Sequence, residues 1–215
     1  AKICDGPVLE LASGTGRLAE PIIDMGLSYT GIDTSKTFIK EAKKRFGNRG
    51  VFKLDNMQHF QHKNHYDFIF IGFNSFLHNL TDSDAKNCLR SVHKHLSEKG
   101  LFFVSAFIPD PVFLYQGDEL HAATSFFTYR NKKCRVMEKN TYHEDTQINH
   151  ITWTIETDGM LSNESYTFKQ RMYPPHMMDI LLNETGFTIK EKYGDWDRAL
   201  LDEFSPMQIY ICRKK

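Results

Sequence analysis

The chain has 215 residues, 40% of them hydrophobic and 25% charged, which suits one well-buried core with an elaboration and is too short for two large domains. Lys plus Arg equals Asp plus Glu at 27 each, so there is no chain-wide basic field of the kind that draws proteins to phosphate backbones or anionic membranes; a small, roughly neutral substrate fits better. Cys4, Cys88, Cys134 and Cys212 lack paired metal-ligand spacing and no apolar run approaches a membrane span, so the expectation is a cytoplasmic protein with free thiols, no metal, and no nucleic-acid or membrane partner. No secretory signal is visible, and because Ala1 precedes the first strand by only a few residues the natural chain is expected to start earlier.

Strand-like and helix-like apolar periods alternate through the first half, the pattern of an α/β fold with a parallel sheet covered by helices on both faces. Val8 to Leu11 predicts the first strand, and a helix follows with Leu18, Ile22 and Met25 at helical spacing, stopping at Gly26. Tyr29 to Ile32 is the second strand, ending at Asp33; Thr34 or Ser35 caps the next helix, whose buried face is Phe38, Ile39, Ala42 and Phe46. Val51 to Leu54 and Phe68 to Ile71 are the third and fourth strands. Thr81 and Asp84 form a capping-box pattern before a helix marked by Ala85, Cys88, Leu89, Val92 and Leu96 and ending at Gly100. Leu101 to Phe107 is the fifth strand, closed by Pro109 and Pro111.

Beyond Pro111 the rhythm changes. From about Leu120 to Met172 apolar residues alternate, with turn signals at Arg130 to Lys132, Glu144 to Asp145 and Asp158-Gly159, which predicts an antiparallel insertion of three or four strands, bounded here as 116–172. Pro174-Pro175 then opens a helix through Met178, Leu181 and Leu182 to Gly186, followed by strands Phe187 to Lys192 and Gln208 to Cys212.

The chemistry is expected at the carboxyl ends of the early strands, where an open parallel sheet leaves its ligand crevice. In ELASGTGRLA, Gly14 and Gly16 let the backbone turn and approach a ligand, and a helix beginning near Arg17 turns free amides toward it. Gly14 to Ala19 also satisfies the G-x-G-x-x-A form of the dinucleotide fingerprint with Asp33 at the end of the second strand, so on the glycines alone NAD binding stays open. Glu10 is the discordant residue, because a carboxylate inside an apolar strand is costly without a partner.

Glu10, Gly14 and Gly16 together resemble the E/D-x-x-x-G-x-G motif of class I S-adenosylmethionine-dependent methyltransferases. Gly31-Ile32-Asp33 resembles the segment whose acid binds both ribose hydroxyls, Leu54-Asp55-Asn56-Met57 the segment flanking adenine, and Tyr66 to Ile71 with Phe73-Asn74-Ser75 the fourth strand and the loop facing the methionine part of the cofactor. Leu96-Ser97-Glu98-Lys99-Gly100 is similar to the family's L-x-x-G-G approach to strand five, with Lys99 for the first glycine, and the last two strands match its reversed sixth and seventh. The resemblance implies a Rossmann-like seven-stranded sheet, S-adenosylmethionine as cofactor, and cofactor contacts from Glu10, Ala12, Ser13, Gly14, Gly16, Arg17, Asp33, Thr34, Asp55, Asn56, Met57, Phe73, Asn74 and Ser75. It implies that Glu10 organises the Gly-rich loop and the cofactor's aminoacyl end. The insertion resembles that of small-molecule N-methyltransferases, including amino-sugar enzymes, which implies that it forms part of the acceptor pocket.

A sulfonium methyl is already activated, so the protein need only align an acceptor lone pair and exclude water. The acceptor expected is a small molecule, amine nitrogen before oxygen. His78, just past the fourth strand, is the best-placed base should the acceptor arrive protonated, although a passive packing role serves equally well. Tyr115, His121, Arg171 and Tyr173 border the insertion as acceptor-site candidates. His59, His62 and His65 recur every third residue but lack a carboxylate or cysteine at ligand spacing, which favours a solvated loop over a zinc site. An NAD-dependent oxidoreductase and a non-catalytic S-adenosylmethionine-binding module remain the alternatives.

Overall fold

The computed structural model describes residues 4–116 and 119–215, and it divides into two compact units, one ending at Ile108 and resuming over Pro174–Lys215, the other Pro109–Tyr173. In the first unit β1 (Val8–Leu11) is buried along its whole length, as a central parallel strand covered on both faces must be. Next come α1 (Ala19–Asp24), β2 (Tyr29–Asp33), α2 (Lys36–Phe46), β3 (Val51–Leu54), β4 (Tyr66–Ile71), α3 (Asp82–His95) and β5 (Leu96–Phe107). Ser35 caps α2 by accepting from the Phe38 amide, and Thr81 and Asp84 close the expected capping box on α3. Ile39, Ala42 and Phe46 of α2 press against Val8, Tyr29, Phe52 and Phe70 of the sheet, with the Phe46 and Phe52 rings stacked at 5.3 Å.

In the inserted unit lie α4 (Pro111–Leu114), β6 (His121–Ala122), β7 (Phe127–Tyr129), β8 (Lys132–His143), β9 (Ile148–Thr157) and β10 (Met160–Arg171). The chain returns to the first unit as α5 (Pro175–Glu184), β11 (Phe187–Tyr193) and β12 (Met207–Lys214). The main sheet has seven strands in the order β11-β12-β5-β4-β1-β2-β3. All pairings from β5 to β3 are parallel, while β12 is antiparallel to both β5 and β11. Only the last strand is therefore reversed: β11 runs with β5, and the expectation of two reversed strands is corrected.

Other boundaries also differ from the sequence pattern. Leu96 continues the apolar stripe of α3 but is already extended and pairs with Tyr66, so the helix ends at His95, and Ser97 to Lys99 form an irregularity inside β5 before pairing resumes at Leu101. The first helix keeps only Ala19 buried within it; Met25 is exposed and Leu18 is its cap residue. Phe38 stands out of the α2 core face and is 48% exposed. The insertion forms a five-stranded sheet, because two short strands, β6 and β7, both pair with the twelve-residue β8. Runs of two and three residues are too short for alternation to register. The three turns fall where expected, with positive φ at Arg130, Asn131, Gln147 and Asp158.

Candidate active site

The β1–α1 loop is built by backbone geometry. Ser13 donates its amide to the Ile32 carbonyl at 2.9 Å, and Ala12, Gly14 and Gly16 take φ of 57°, 56° and 79°. A non-glycine residue in that region costs about 1 kcal/mol or more, so Ala12 marks a turn that the surrounding contacts enforce. At Gly16 a Cβ would lie 2.7 Å from the Phe46 ring, which leaves no room for any side chain. Because α1 begins only at Ala19 and spans six residues, the amides available to a ligand belong mainly to the loop. Asp33 ties that loop to β2: Oδ2 accepts from the Gly14 amide at 2.9 Å and Oδ1 from the Ser35 amide at 2.8 Å. Each oxygen keeps a further lone pair for a hydroxyl donor.

A cavity of about 280 Å³ opens above these strand ends. Glu10, Ala12, Ser13, Gly14 and Arg17 line it from the loop side, and Phe73 and Ser75 from the turn after β4. Thr15, Leu18, Phe38 and Gly72 line it as well. The Arg17 guanidinium lies over the Phe73 ring at 3.9 Å. Phe73 and Asn74 are both left-handed, and the turn is braced where Asn74 Oδ1 accepts the Phe107 amide at 2.8 Å.

Glu10 is 6% exposed, and the Tyr29 phenol donates to its Oε2. Burial pushes the Glu10 carboxyl up to about 7; the Tyr29 hydrogen bond and the Arg17 charge pull against the rise, and Asp33 adds to it. The same burial, together with Glu10, raises the Tyr29 phenol.

Asp33, Asp55, Asn56 and Met57 lie outside the cavity lining; the Asp55 amide donates to the Asp33 carbonyl at 3.1 Å, and Asp33 reaches the lining through Gly14. Asn56 Oδ1 accepts from Gln58, and Met57 Sδ receives the Asn79 side-chain amide at 3.6 Å. Thr34 is exposed and Gly16 is buried beneath the loop, neither lining the cavity. His78 sits exposed on the 3₁₀ turn Ser75–His78, also off the lining. His62 faces inward, its Nδ1 2.8 Å from the Tyr66 hydroxyl and its Nε2 3.5 Å from Asp55, while His59 and His65 are exposed. Burial, more than the Lys53 charge, lowers the His62 imidazole. Among the described residues no three His, Cys, Asp or Glu side chains gather as a metal site.

Within the inserted unit, Tyr115 donates to Glu144 and meets the Tyr142 ring edge-on at 5.8 Å. Arg171 donates to Gln147 Oε1 at 3.3 Å and lies over the ring of the buried Tyr173 at 5.1 Å. His121 Nε2 is 3.4 Å from Oε1 of the buried Glu138, whose Oε2 accepts from the Trp153 indole at 2.6 Å. Sequence reasoning missed Tyr29, Thr15, Leu18, Phe38, Gly72 and Glu138. Thr15 and Gly72 carried a signal in their places, between two loop glycines and at the end of a strand; Glu138 and Tyr29 depend on cross-strand pairing.

The antiparallel β12 wedged between β5 and β11 departs from the all-parallel dinucleotide sheet and removes the NAD alternative in favour of the class I methyltransferase fold. Residues 8–100 match the methyltransferase domain family, and this match together with the fold supports an S-adenosylmethionine-dependent methyltransferase. A protein of Geobacillus sp. (strain WCH70) named as a methyltransferase is 21% identical over 219 residues, covering 96% of this chain and 84% of that one. The solved CcbJ methyltransferase from Streptomyces caelestis is similar with a TM-score of 0.81 at 22% identity, over 97% of this chain and 83% of that one. CalS10, an amino pentose methyltransferase from Micromonospora echinaspora solved with S-adenosylmethionine bound, matches with a TM-score of 0.73 at 12% identity, over 98% and 84% of the two chains. No helix among the described residues is long and apolar enough to cross a membrane.

Proposed function

We propose that this protein methylates an amine nitrogen of a small molecule, with a hydroxyl oxygen as the second choice of acceptor. The observation that carries the reading is a full-length one: the likeness to CalS10 spans 98% of the chain and so includes the inserted sheet. When bound, S-adenosylmethionine supplies a methyl group activated by its sulfonium charge. The residues present fit it. Glu10 offers a carboxyl in the cavity wall, the turn at Gly14 allows close backbone approach, and Asp33 keeps lone pairs for ribose hydroxyls. Asp55, Asn56 and Met57 flank the adenine end in this reading, and Phe73, Asn74 and Ser75 the methionine end.

The protein's contribution to rate is alignment and exclusion of water, since an amine lone pair needs only in-line approach. The inserted unit selects the acceptor. Supporting this, the Phe107 amide is bound to Asn74 of the turn that lines the cavity, and the chain leaves for the insertion immediately after that point. Within the insertion, His121 held by Glu138 and Arg171 beside Tyr173 are the polar groups assigned to acceptor contact. His78 stands at the solvent side, where water serves the same proton-accepting role.

A library of small amines and phenols, screened for S-adenosylhomocysteine release and for methylated product by mass, tests the proposal. Amine products without phenol products support it. Turnover confined to phenols overturns the nitrogen assignment, and no turnover with any acceptor despite cofactor binding overturns the small-molecule reading.

A further inference from the structure

Glu10 and Tyr29 are nineteen positions apart and meet because of register. Glu10 pairs with Gly31 across the parallel β1–β2 ladder, and Tyr29, two residues before Gly31, projects from the same face of β2. Gly31 leaves the space between them: a Cβ there would lie 2.7 Å from Ser13 Oγ and 2.9 Å from the Tyr29 hydroxyl. The phenol is itself wedged by the Phe52 ring at 5.5 Å, and Tyr29 is 2% exposed. The result is a carboxyl in the wall of the cavity whose one hydrogen-bond donor among the described residues is a phenol.

We infer that Tyr29 is a positioning residue for cofactor capture: in the space left by Gly31, its phenol fixes Oε2 of Glu10, a buried carboxyl that gives its proton to solvent when a cationic aminoacyl group is bound.

The inference rests on the assignment of S-adenosylmethionine as cofactor, and the charges around Glu10 define how it works. Arg17 approaches from the loop and favours the carboxylate, Asp33 approaches from β2 and disfavours it, and β4 on the other flank presents Phe70 beside Glu10, which carries no charge. These influences leave the carboxyl titrating at about 7, so near neutrality it is a mixture of both forms. A cation beside Glu10 favours the ionised form. The O–H bond of Glu10 breaks, its electron pair stays on the oxygen and the proton goes to the buffer; nothing is oxidised or reduced. Tyr29 continues to donate to Oε2, which leaves Oε1 as the atom for an incoming ammonium. Affinity for the cofactor therefore rises with pH through neutrality, and the phenol sets where.

Titration calorimetry with S-adenosylhomocysteine between pH 6 and 8, repeated in buffers of different ionisation heat, counts the protons. The wild-type protein is expected to release roughly half a proton per site near pH 7, less at pH 8, and Glu10→Gln none. Tyr29→Phe removes the donor that favours the carboxylate, so the release curve moves to higher pH and affinity at pH 6.5 falls about tenfold. Glu10→Asp keeps a carboxyl but withdraws it from the phenol by one methylene, and provides the same readout should the Tyr29 variant fail to fold. Binding without proton release, or an unshifted curve in both variants, overturns the inference and leaves the cofactor assignment standing. Absence of any S-adenosylhomocysteine binding by the folded wild-type protein overturns both.

Discussion

The two sheets bury polar groups in different ways. In the seven-stranded sheet, β1 is buried on both faces and its polar exception, Glu10, lies at the cavity wall with a phenol for a partner. In the inserted sheet, Glu138, Asn140 and Asn149 are all buried within the ladder and find local partners for part of their polar atoms: Glu138 takes the Trp153 indole, and the Asn140 amide reaches the Phe113 carbonyl at 3.0 Å and Asn149 at 3.5 Å, while among the described residues Asn140 Oδ1 and Asn149 Nδ2 meet none. Large side chains differ as well. Trp153 and Tyr166 of the insertion are 40% and 66% exposed, although their rings both contact Phe168. A parallel sheet sealed by helices can tolerate a charge only where a ligand or a water-filled crevice meets it. An antiparallel sheet with an open face accommodates polar pairs and aromatic surface along its length, so burial alone is a weaker guide to function there.

The largest effect that sharpens this contrast is the pH dependence of Glu10. Its folded carboxyl titrates at about 7 against an ordinary 4.5, so relative to Glu10→Gln its contribution to stability is fully present below about pH 4.5 and is lost as pH rises through 7. The expected loss is about 3 kcal/mol of unfolding free energy, measured by urea denaturation of both proteins from pH 4.5 to 8. A stability difference that does not change with pH would break the comparison at its first term.

Asp33→Ala comes next. Loss of the acceptor for Gly14 and Ser35, which the proposed reading also gives to the ribose hydroxyls, should weaken S-adenosylhomocysteine by about 2 to 3 kcal/mol while circular dichroism stays native. A folded variant with unchanged affinity would remove Asp33 from the site.

In the inserted sheet the sign of the experiment reverses. His121→Ala should lower kcat/KM for the acceptor by roughly tenfold, about 1.4 kcal/mol, and leave S-adenosylhomocysteine affinity at the wild-type value. Equal losses in both quantities would mean that the two units do not divide the labour. The smallest change is expected at His78: as an exposed residue outside the cavity lining, His78→Asn should alter turnover less than about threefold and keep the acidic limb of the pH-rate profile. Disappearance of that limb would make His78 the acceptor's base.

How much of this was legible depends on how local the signal is. The loop glycines announce themselves because Gly16 occupies a backbone region and a space closed to other residues, and Asp33 because the end of a strand, the start of a helix and a Gly-rich loop one strand away converge on it. Thr81 with Asp84, and the turns at Arg130, Glu144 and Asp158, are equally local: each is written in neighbours three or four residues apart. Leu96 misled because residues at helical spacing and the first residue of a buried strand can share one apolar identity, and its pairing with Tyr66 lies in another segment.

The sequence by itself determined the α/β alternation, the glycine loop, the acid at the end of β2 and the presence of an inserted antiparallel region, since each follows from periodicity, backbone freedom or turn chemistry within a short window. Only the tertiary structure decided that Phe38 leaves the α2 core to line the cavity, that β12 wedges between β5 and β11, that Glu138 holds His121, and that Glu10 is met by Tyr29. These depend on strand order and register, which are settled by the sum of many contacts across the sheet; the side chain facing Glu10 is chosen by which residue of β2 stands beside β1, and no periodicity within either strand encodes that choice.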